Sequence, residues 1–383
     1  GSANTAVGLI ALVANTVAEN NVAVGYSALA ANTTGAKNTA VGYGALDANT
    51  TAANNVAVGY DALGANITGT GNAAFGYAAL TGSTTADDNT GIGNRALQNN
   101  TTGADNIALG SSSLFSNTTA SNNTAVGFES LKANTTGAGN VAVGKDALVV
   151  NITGASNVAV GHDALDSNLV SSNTAVGSES FSAVTTGGSN VALGQNSGNT
   201  LTTGSYNVCI GQATDVSATS AEGQIVIGRN ITSGANDSVK FGQSSGTLSI
   251  ALDGSTTSWT AASDERLKEN IETSGAGLSF INDLRPITYN WKKAKDVPTD
   301  MPFYKKDSDK PCRGHEYGTV NHGFVAQEVK EAMDSHSEIK EGFSMWNDSD
   351  EGVQSIGDGA LIPILTKAIQ ELSAEVEELK QKA

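Results

Sequence analysis

A serine and a lysine five residues apart begin the charged segment SDERLKENI, which follows some 240 residues of nearly uncharged repeat. A serine hydroxyl becomes a nucleophile when a neighbouring base takes its proton, and a lysine can be that base where desolvation or nearby cations lower its pKa. Ser263 and Lys268 are therefore a candidate catalytic pair. Positions five apart on an ideal helix are about 140° from each other, however. Three arrangements remain open: a non-helical turn at the serine, a lysine that serves another subunit, and a serine that only caps a helix.

The elements that carry this pair belong to a chain of unusual composition. Its 383 residues include 44 glycines, and only 5% are aromatic and 15% charged, which is typical of a repetitive β-structure rather than an enzyme core. The net charge of −17 argues against nucleic acid and against an anionic membrane surface as partners. No apolar run approaches the roughly 20 residues that span a bilayer, so we expect no membrane insertion. The chain begins within a repeat, and we expect a natural N-terminal part to precede it.

A repeat of 17 residues organises the first two thirds of the chain. It is marked by the glycine that closes each AVG-like triplet, and twelve of thirteen intervals between these glycines are 17 residues and one is 16. We call these residues the column glycines: Gly8, Gly25, Gly42, Gly59, Gly76, Gly93, Gly110, Gly127, Gly144, Gly161, Gly177, Gly194, Gly211 and Gly228. Such regularity predicts a solenoid with one coil per repeat.

Aligned positions of the repeat predict what each column of side chains does. Two columns are expected to form the core: the residue before the column glycine (Val24, Val41) and the leucine four after it (Leu29, Leu46). The alternating NVAVG phrase predicts a short strand, and its alanine indicates close approach of the opposite wall or of another chain. Two columns of asparagine are expected to link successive coils by hydrogen bonds and to favour left-handed turns, a purely structural role.

The N-x-V-A-V-G phrase resembles the head repeats of trimeric autotransporter adhesins. Those heads form a left-handed parallel β-roll packed as a trimer, and the resemblance covers the array from residue 4 to about 245. It implies that residues 1–245 form a homotrimeric parallel β-roll or β-helix of 17-residue coils. The period is longer than is usual in those heads, so the handedness of this solenoid stays open.

Two outward-facing columns carry side chains that could bind a ligand. Four tyrosines follow successive column glycines and are a possible surface platform for sugar rings, or else cross-coil aromatic pairs that stabilise the surface: Tyr26, Tyr43, Tyr60 and Tyr77. Asp146 and Asp163 fall on neighbouring coils at a spacing near that of a retaining glycosidase, although a flat ladder offers no cleft and solvation is the simpler role. The Cys312, His315 and His322 spacing matches no standard zinc pattern, and we expect no metal and no cofactor.

Beyond Ser263 the composition becomes that of a globular domain. The blocks SDERLKENI, LSFINDLRPITYNWK, HGFVAQEVKEAM and LIPILTKAIQELSAEVEELK resemble, in order, the intramolecular chaperone (S74 peptidase) domain that ends many bacteriophage tail fibres, tailspikes and neck appendages. The resemblance covers residues 263–383 and implies an α+β domain that trimerises, guides folding of the preceding fibre and cuts itself off before its first serine. On this chain the cleaved bond would join Ala262 to Ser263, with Ser263 as nucleophile and Lys268 as general base. Residues 246–262 would be the strand and linker before that bond.

The last block predicts a helix over about 360–382 with a coiled-coil seam. Its apolar residues recur at 3-4-3-4-3 spacing: Ile362, Leu365, Ile369, Leu372, Val376 and Leu379. Such a seam indicates self-association. Its residue types favour two strands in isolated coiled coils, whereas the family implies a trimer, which we adopt.

A near-perfect repeat cannot align three chains, because each slip by one repeat pairs a coil with a near copy of itself. A C-terminal domain that trimerises first would set that alignment, and its removal would leave a kinetically stable fibre. The sequence therefore predicts a virion tail fibre or appendage segment for host attachment. Its partners would be two more copies, a host cell-surface receptor (glycan or protein) and other tail proteins, and the chaperone domain would be released in the host cytoplasm. Cleavage would be a single turnover without external substrate. The alternatives are a bacterial trimeric adhesin that keeps the domain, and a glycan depolymerase tailspike.

Overall fold

A computed structural model describes residues 1–252, 260–261, 269, 271–313, 318–339, 345–348 and 354–382. The chain divides into two compact units, Gly1–Ser263 and Asp264–Ala383. The first is a parallel β-solenoid, and the second is a small α+β unit that ends in a long helix. The predicted fold class is confirmed for the single chain.

The solenoid is built from one three-residue strand per coil. Neighbouring strands pair in parallel and in register, one repeat apart, as in Ala23 with Ala40, and the shorter coil pairs Ala159 with Ala175. These strands are β1 Thr5–Val7, β2 Val22–Val24, β3 Thr39–Val41, β4 Val56–Val58, β5 Ala73–Phe75, β6 Thr90–Ile92, β7 Ile107–Leu109, β8 Thr124–Val126, β9 Val141–Val143, β10 Val158–Val160, β11 Thr174–Val176, β12 Val191–Leu193 and β13 Val208–Ile210.

The interior of the solenoid is lined by alanine and leucine. From β2 onward the alanine in the middle of the strand is fully buried, as at Ala23 and Ala40, whereas Ala6 in β1 is exposed. The leucine four residues after the column glycine is also fully buried, as at Leu29. A Cβ atom at Gly91, which replaces the alanine in one coil, would lie 3.3 Å from Leu80. The alanine column therefore faces the leucine column across the interior of the solenoid, so the leucine column and the close approach of the opposite wall to the alanine column are confirmed.

The residue before the column glycine does not belong to the core, contrary to expectation. Val24 and Val41 are only half-buried, and Phe75 and Leu193 are 39% and 47% exposed. Because successive side chains of a strand point to opposite faces, a three-residue strand turns one side chain inward and two outward. The inward position is taken by alanine, since the leucine and asparagine columns already fill the narrow interior.

Two columns of buried asparagine connect the coils. In the first column the Asn38 backbone N–H donates to Asn21 Oδ1 at 2.9 Å, and Asn38 Nδ2 donates to the Ala52 carbonyl at 2.8 Å. In the second column Asn49 Nδ2 donates to Asn32 Oδ1 at 2.8 Å and to the same Ala52 carbonyl at 3.1 Å. The predicted coil-to-coil role of asparagine is confirmed, and these bonds satisfy the polar groups that the small cross-section buries.

The left-handed turns of each coil fall on other residues than the ladder asparagines. The buried leucine itself has positive φ, 54° at Leu29 and 53° at Leu46, as do residues such as Asp61 and Lys37 at the outer corners. A left-handed conformation costs an L-residue about 1–2 kcal/mol. Burial of the leucine side chain and the hydrogen bonds between coils hold it there.

The C-terminal end of the solenoid departs from the regular period. The strands are β14 Thr214–Asp215, β15 Gln224–Arg229, β16 Ile231–Thr232, β17 Ser238–Gln243, β18 Gly246–Ala251 and β19 Thr260–Ala261. β17 pairs in parallel with β15 and places Gly242 beside Gly228 in a shortened coil, and the antiparallel β18 and β19 complete the sheet. Among its described residues, the segment 246–262 contains both β18 and β19.

The second unit contains three α-helices and two small antiparallel sheets among its described residues. The helices are α1 Leu278–Asp283, α2 Ala326–Ser335 and α3 Leu361–Lys382, with 3-10 turns at Ala294–Asp296, Ser337–Ile339 and Asp358–Ala360. The strands β20 Ile287–Tyr289 and β21 Asn321–Gly323 pair with each other, as do β22 Trp346–Asp348 and β23 Gln354–Ile356. The core is formed by Ala276, Phe280, Leu284, Val329, Ala332, Met333, Ile339, Met345, Leu361 and Ile364. The predicted C-terminal helix is confirmed.

Candidate functional sites

The chain that leads to the predicted cleavage bond is a strand of the solenoid's terminal sheet. β19 ends at Ala261, which pairs with Leu248 of β18. Ala262, Ser263 and Lys268 lie outside the described residues. The proposed Ser-Lys pair thus stays a prediction from the sequence.

Helix α3 presents two different faces. One face is buried in the second unit through Leu361, Ile364 and Ala368, and it packs against α1. Glu371 fixes this packing, because its carboxylate accepts the Leu278 backbone N–H at 2.8 Å at the start of α1. This hydrogen bond lowers the pKa of Glu371.

The other face of α3 is the predicted seam, and it is exposed in the single chain. Its residues are between 41% and 67% exposed: Ile362, Leu365, Ile369, Leu372, Val376 and Leu379. A continuous apolar stripe on a helix that already buries its other face has no intramolecular partner among the described residues. Stripes of this kind mark association surfaces.

A histidine not singled out by the sequence connects α1 to the end of α2. His336 Nε2 lies 2.8 Å from Asp283 Oδ2, and its Nδ1 lies 3.0 Å from Glu338 Oε1. The Phe280 ring meets the imidazole edge-on at a centroid distance of 5.4 Å. Hydrogen bonding to Asp283 and then to Glu338 raises the pKa of His336, because both carboxylates favour the protonated ring. No sequence pattern marks it, since its partners come from separate segments.

The four predicted platform tyrosines form one continuous stack on the solenoid surface. Ring centroids are 5.1 Å apart between Tyr26 and Tyr43 and between Tyr43 and Tyr60, and 5.4 Å apart between Tyr60 and Tyr77. The rings are within 14° of parallel and about half exposed. The guanidinium of Arg95 lies 6.0 Å from the centroid of the Tyr77 ring and covers the end of the stack.

This geometry bears on what the tyrosine stack can bind. A sugar packs its ring against an aromatic face, and here each inner face is occupied by the neighbouring tyrosine. The edges and hydroxyl groups face solvent instead. The arrangement is that of cross-coil aromatic pairs, and a ligand would meet a row of phenol hydroxyls rather than ring faces.

The acidic pair that matched a glycosidase spacing is engaged by basic neighbours. Asp146 forms an ion pair with Lys145, and Asp163 Oδ2 lies 3.1 Å from His162 Nδ1. Asp166, on the same coil as Asp163, is half-buried, and this burial raises the pKa of its carboxyl. The described surface around these residues is a ladder on the outside of the solenoid, without an enclosed cleft.

An outward-facing apolar surface of the solenoid went unrecognised in the sequence. It consists of the first and third residues of each strand, which alternate valine, threonine, isoleucine and leucine, and we call it the apolar sheet face. Val22 and Val24 at one end and Ile225 and Ile227 at the other are half-buried, and Ile107 and Val191 between them are 41% and 39% exposed. The sequence did contain a signal for this face. In each strand the buried alanine lies between two residues that are mostly apolar, and because side chains alternate along a strand, the outer face is then apolar as well.

The two cysteines lie in different environments. Cys209 occupies the alanine column and is fully buried, and burial raises the pKa of its thiol to about 12. It therefore behaves as a small core side chain. Cys312 is partly exposed, and its predicted neighbour His315 lies outside the described residues.

Among the helices of the described ranges, none has the length and apolarity required to cross a membrane.

Comparison with known families identifies the C-terminal region. Residues 263–337 match the family model of Peptidase S74, the chaperone of endosialidase. The match begins at Ser263 and includes the first three of the four blocks; the α3 block lies beyond it. No curated protein and no solved structure is significantly similar to the chain.

The molecule is thus a long parallel β-solenoid followed by a domain of the chaperone-of-endosialidase family. This combination is consistent with a protein like a phage tail fibre that carries its own intramolecular chaperone.

Proposed function

We propose that the chain is a virion tail fibre or appendage segment for host attachment, whose C-terminal domain directs trimerisation and folding and then cuts the chain before Ser263. One observation carries the proposal. The boundary between the two compact units falls between Ser263 and Asp264, and the family match begins at Ser263. The structural boundary and the start of the family match thus coincide at Ser263, the residue that the resemblance implies is the nucleophile. This agreement supports a domain that is separable at that point.

The proposed chemistry is a self-cleavage by one serine and one lysine. Lys268 Nζ takes the hydroxyl proton as Ser263 Oγ attacks the carbonyl carbon of Ala262, the residue directly before it. The Ala262–Ser263 amide bond breaks as the acyl group passes to the oxygen, and the nitrogen takes up a proton. Water then hydrolyses the ester, which gives a new carboxylate at Ala262 and a new amino group at Ser263. The released shaft would attach to a host cell-surface glycan or protein.

Two exposed apolar surfaces support the trimer. The apolar sheet face runs along the solenoid, and the α3 seam runs along the last helix. Both repeat along their length, so copies of the same chain match them in spacing and extent. Burying these faces among three chains would remove from water the apolar area that one chain leaves exposed.

Mass spectrometry of the chain under denaturing conditions tests the cleavage. We expect two fragments, one that ends at Ala262 and one that begins at Ser263. One intact chain is expected for Ser263→Ala and for Lys268→Ala, with Ser258→Ala as a control that still cleaves. An intact wild-type chain after complete folding would refute self-cleavage.

Sedimentation of the uncleaved Ser263→Ala chain tests the trimer. We expect three times the monomer mass, and we expect Leu372→Asp on the seam to reduce it while the control Glu377→Gln does not. If the Ser263→Ala chain with its native seam is a monomer, the proposed trimer is contradicted, and this result does not bear on the cleavage.

A further inference from the structure

Most coils of the solenoid are interchangeable in their contacts. From β2 to β9 each leucine of the core column lies between leucines, as Leu46 lies between Leu29 and Leu63, all fully buried. The second asparagine column is likewise continuous except at Ser83, where Asn66 Oδ1 and Ser83 Oγ are buried without a hydrogen-bond partner. If one repeat of this part of the array were left out of the solenoid, the two coils on either side of it could pair with each other through nearly native contacts.

The coils from Gly161 to Gly242 differ, and the first difference is in the leucine column. Phe181 takes the place of leucine and is fully buried, and the next coil has Gly198 at the same position. A Cβ atom at Gly198 would lie 2.2 Å from Phe181 Cε1, so the phenyl ring occupies the volume that a side chain at 198 would fill. Phe181 and Gly198 therefore fit together only when their two coils are neighbours.

The second difference is in the asparagine column. Val184 and Leu201 replace asparagine and are fully buried. The asparagine that precedes Val184 in this column, Asn168, is compensated because its Oδ1 accepts from Asn173 Nδ2 at 2.9 Å. Pairing Val184 or Leu201 with another asparagine of the column would leave a buried amide without its partner, which is unfavourable in an apolar interior. The polar ladder and the apolar pair are therefore not exchangeable.

The third difference is the length of the coils. The coil between Gly161 and Gly177 is one position shorter than the regular repeat; in it Asn168 Nδ2 bonds the Val170 carbonyl at 2.7 Å, and Asn168 Oδ1 accepts from Asn173 Nδ2 at 2.9 Å. The last coil, between Gly228 and Gly242, is three positions shorter than the regular repeat. Each fits only one neighbour on each side.

From these three differences we infer that residues 161–242 are a registration segment: they fix which coil pairs with which, and the solenoid winds from this segment toward the N-terminus. Each coil docks on a neighbour that is already formed, so a repeat array grows from wherever correct pairing is best distinguished from incorrect pairing. In the uniform coils a skipped repeat costs little. In the registration segment a skipped repeat opens a void beside Phe181 or leaves the buried amide of a column asparagine without a hydrogen-bond partner.

Two deletions, each removing one whole repeat between column glycines, test whether the coils are interchangeable. Deleting residues 43–59 keeps every column intact, and we expect a single thermal transition within about 3 °C of the parent. Deleting residues 178–194 removes Phe181 and Val184, and we expect the Tm to fall by about 10 °C or more, or the shaft to fail to fold. Adding Gly198→Leu to the second deletion places a leucine beneath Leu165 and should recover at least half of a measured loss.

Three outcomes of this test overturn the inference: equal tolerance of the two deletions, equal failure of both, or a loss confined to the deletion of 43–59. The winding order has its own measurement, pulsed hydrogen exchange during refolding of the full Ser263→Ala chain from urea. We expect amides of residues 161–242 to become protected several-fold faster than those of residues 22–109. Protection that begins in residues 22–109, or that rises equally throughout, refutes the direction of winding. Neither measurement depends on whether the chain cleaves itself.

Discussion

The column glycines predict a sharp difference between two glycine-to-alanine substitutions in the array. Gly59 has φ of +139°, and a Cβ atom there would lie 2.2 Å from the Gly76 carbonyl oxygen of the next coil. The two coils would have to separate by about 1 Å to restore a normal contact. That movement would break bonds such as the 2.8 Å bond from the Gly76 N–H to the Val58 carbonyl.

The magnitude follows from the backbone strain and the lost hydrogen bond. A non-glycine residue in this region of φ costs about 1–3 kcal/mol, and one net hydrogen bond adds about 1 kcal/mol, so Gly59→Ala should lower stability by about 2–4 kcal/mol. Gly44→Ala is the matched control: its φ is +63°, and the nearest atom to a Cβ is 3.6 Å away. Ala78 has φ of 53° at the same place in another coil. The left-handed cost at 44 is largely offset by the entropy lost from the unfolded chain, which leaves less than about 1 kcal/mol.

Urea unfolding followed by far-UV circular dichroism measures both variants, and hydrogen exchange localises the change. We expect Gly59→Ala to lower the midpoint clearly and to increase exchange in residues 56–76, with little effect of Gly44→Ala on either. Equal losses for the two substitutions would refute the account of the column glycines as positions of coil-to-coil contact.

Three further predictions concern single side chains. Asn49→Ala removes a donor to Asn32 and to Ala52, so it should lower stability by about 1–3 kcal/mol, whereas the exposed Thr51→Ala should change it by less than about 0.5 kcal/mol in the same urea assay. The raised pKa of His336 means that its ion pairs stabilise the fold below the unfolded value of about 6.5 and that this contribution is lost as pH rises through the folded pKa. Thermal unfolding of the wild type should therefore show a Tm that declines from about pH 6 toward pH 8.5, and a similar decline in His336→Gln would contradict this assignment. Tyr60→Ala removes two ring pairs from the stack, so it should lower stability by about 1–3 kcal/mol in the same urea assay. If the wild-type chain binds in a glycan array, equal binding by Tyr60→Ala would argue against a sugar platform at the stack.

The period of the repeat was enough to predict the solenoid, because each coil is in register with the next and its column glycine recurs at a fixed interval. The leucine column and both asparagine columns followed from the same alignment. The valine column was assigned to the wrong side, since apolar residues at both outer positions of a strand look like core when the alanine between them is small. Nothing in the residue types indicated that leucines such as Leu29 adopt left-handed backbone, because that conformation is imposed by the coil geometry and held by burial.

The C-terminal unit shows the same division between local and distant information. The α3 seam is a pattern within one helix, so the spacing of Ile362 and Leu365 was sufficient to predict it. The contact of His336 with Asp283 joins residues 53 positions apart and depends on how α1 and α2 pack. The Glu371 bond to the Leu278 N–H spans 93 positions and has no sequence signature for the same reason.

The reversed valine column changes why a fibre of this kind would need a chaperone domain. If the apolar residues faced inward, a single solenoid could fold alone and only the alignment of three chains would be at issue. With the apolar sheet face outward, each newly formed coil adds exposed apolar surface that another chain in any register can cover. In the proposed assembly the α3 seam would bring three copies together, and the registration segment, which is the part of the shaft closest to that domain in sequence, would pair first because incorrect pairing is least favourable there. The uniform coils could then wind and bury their outer valines against partners that are already aligned.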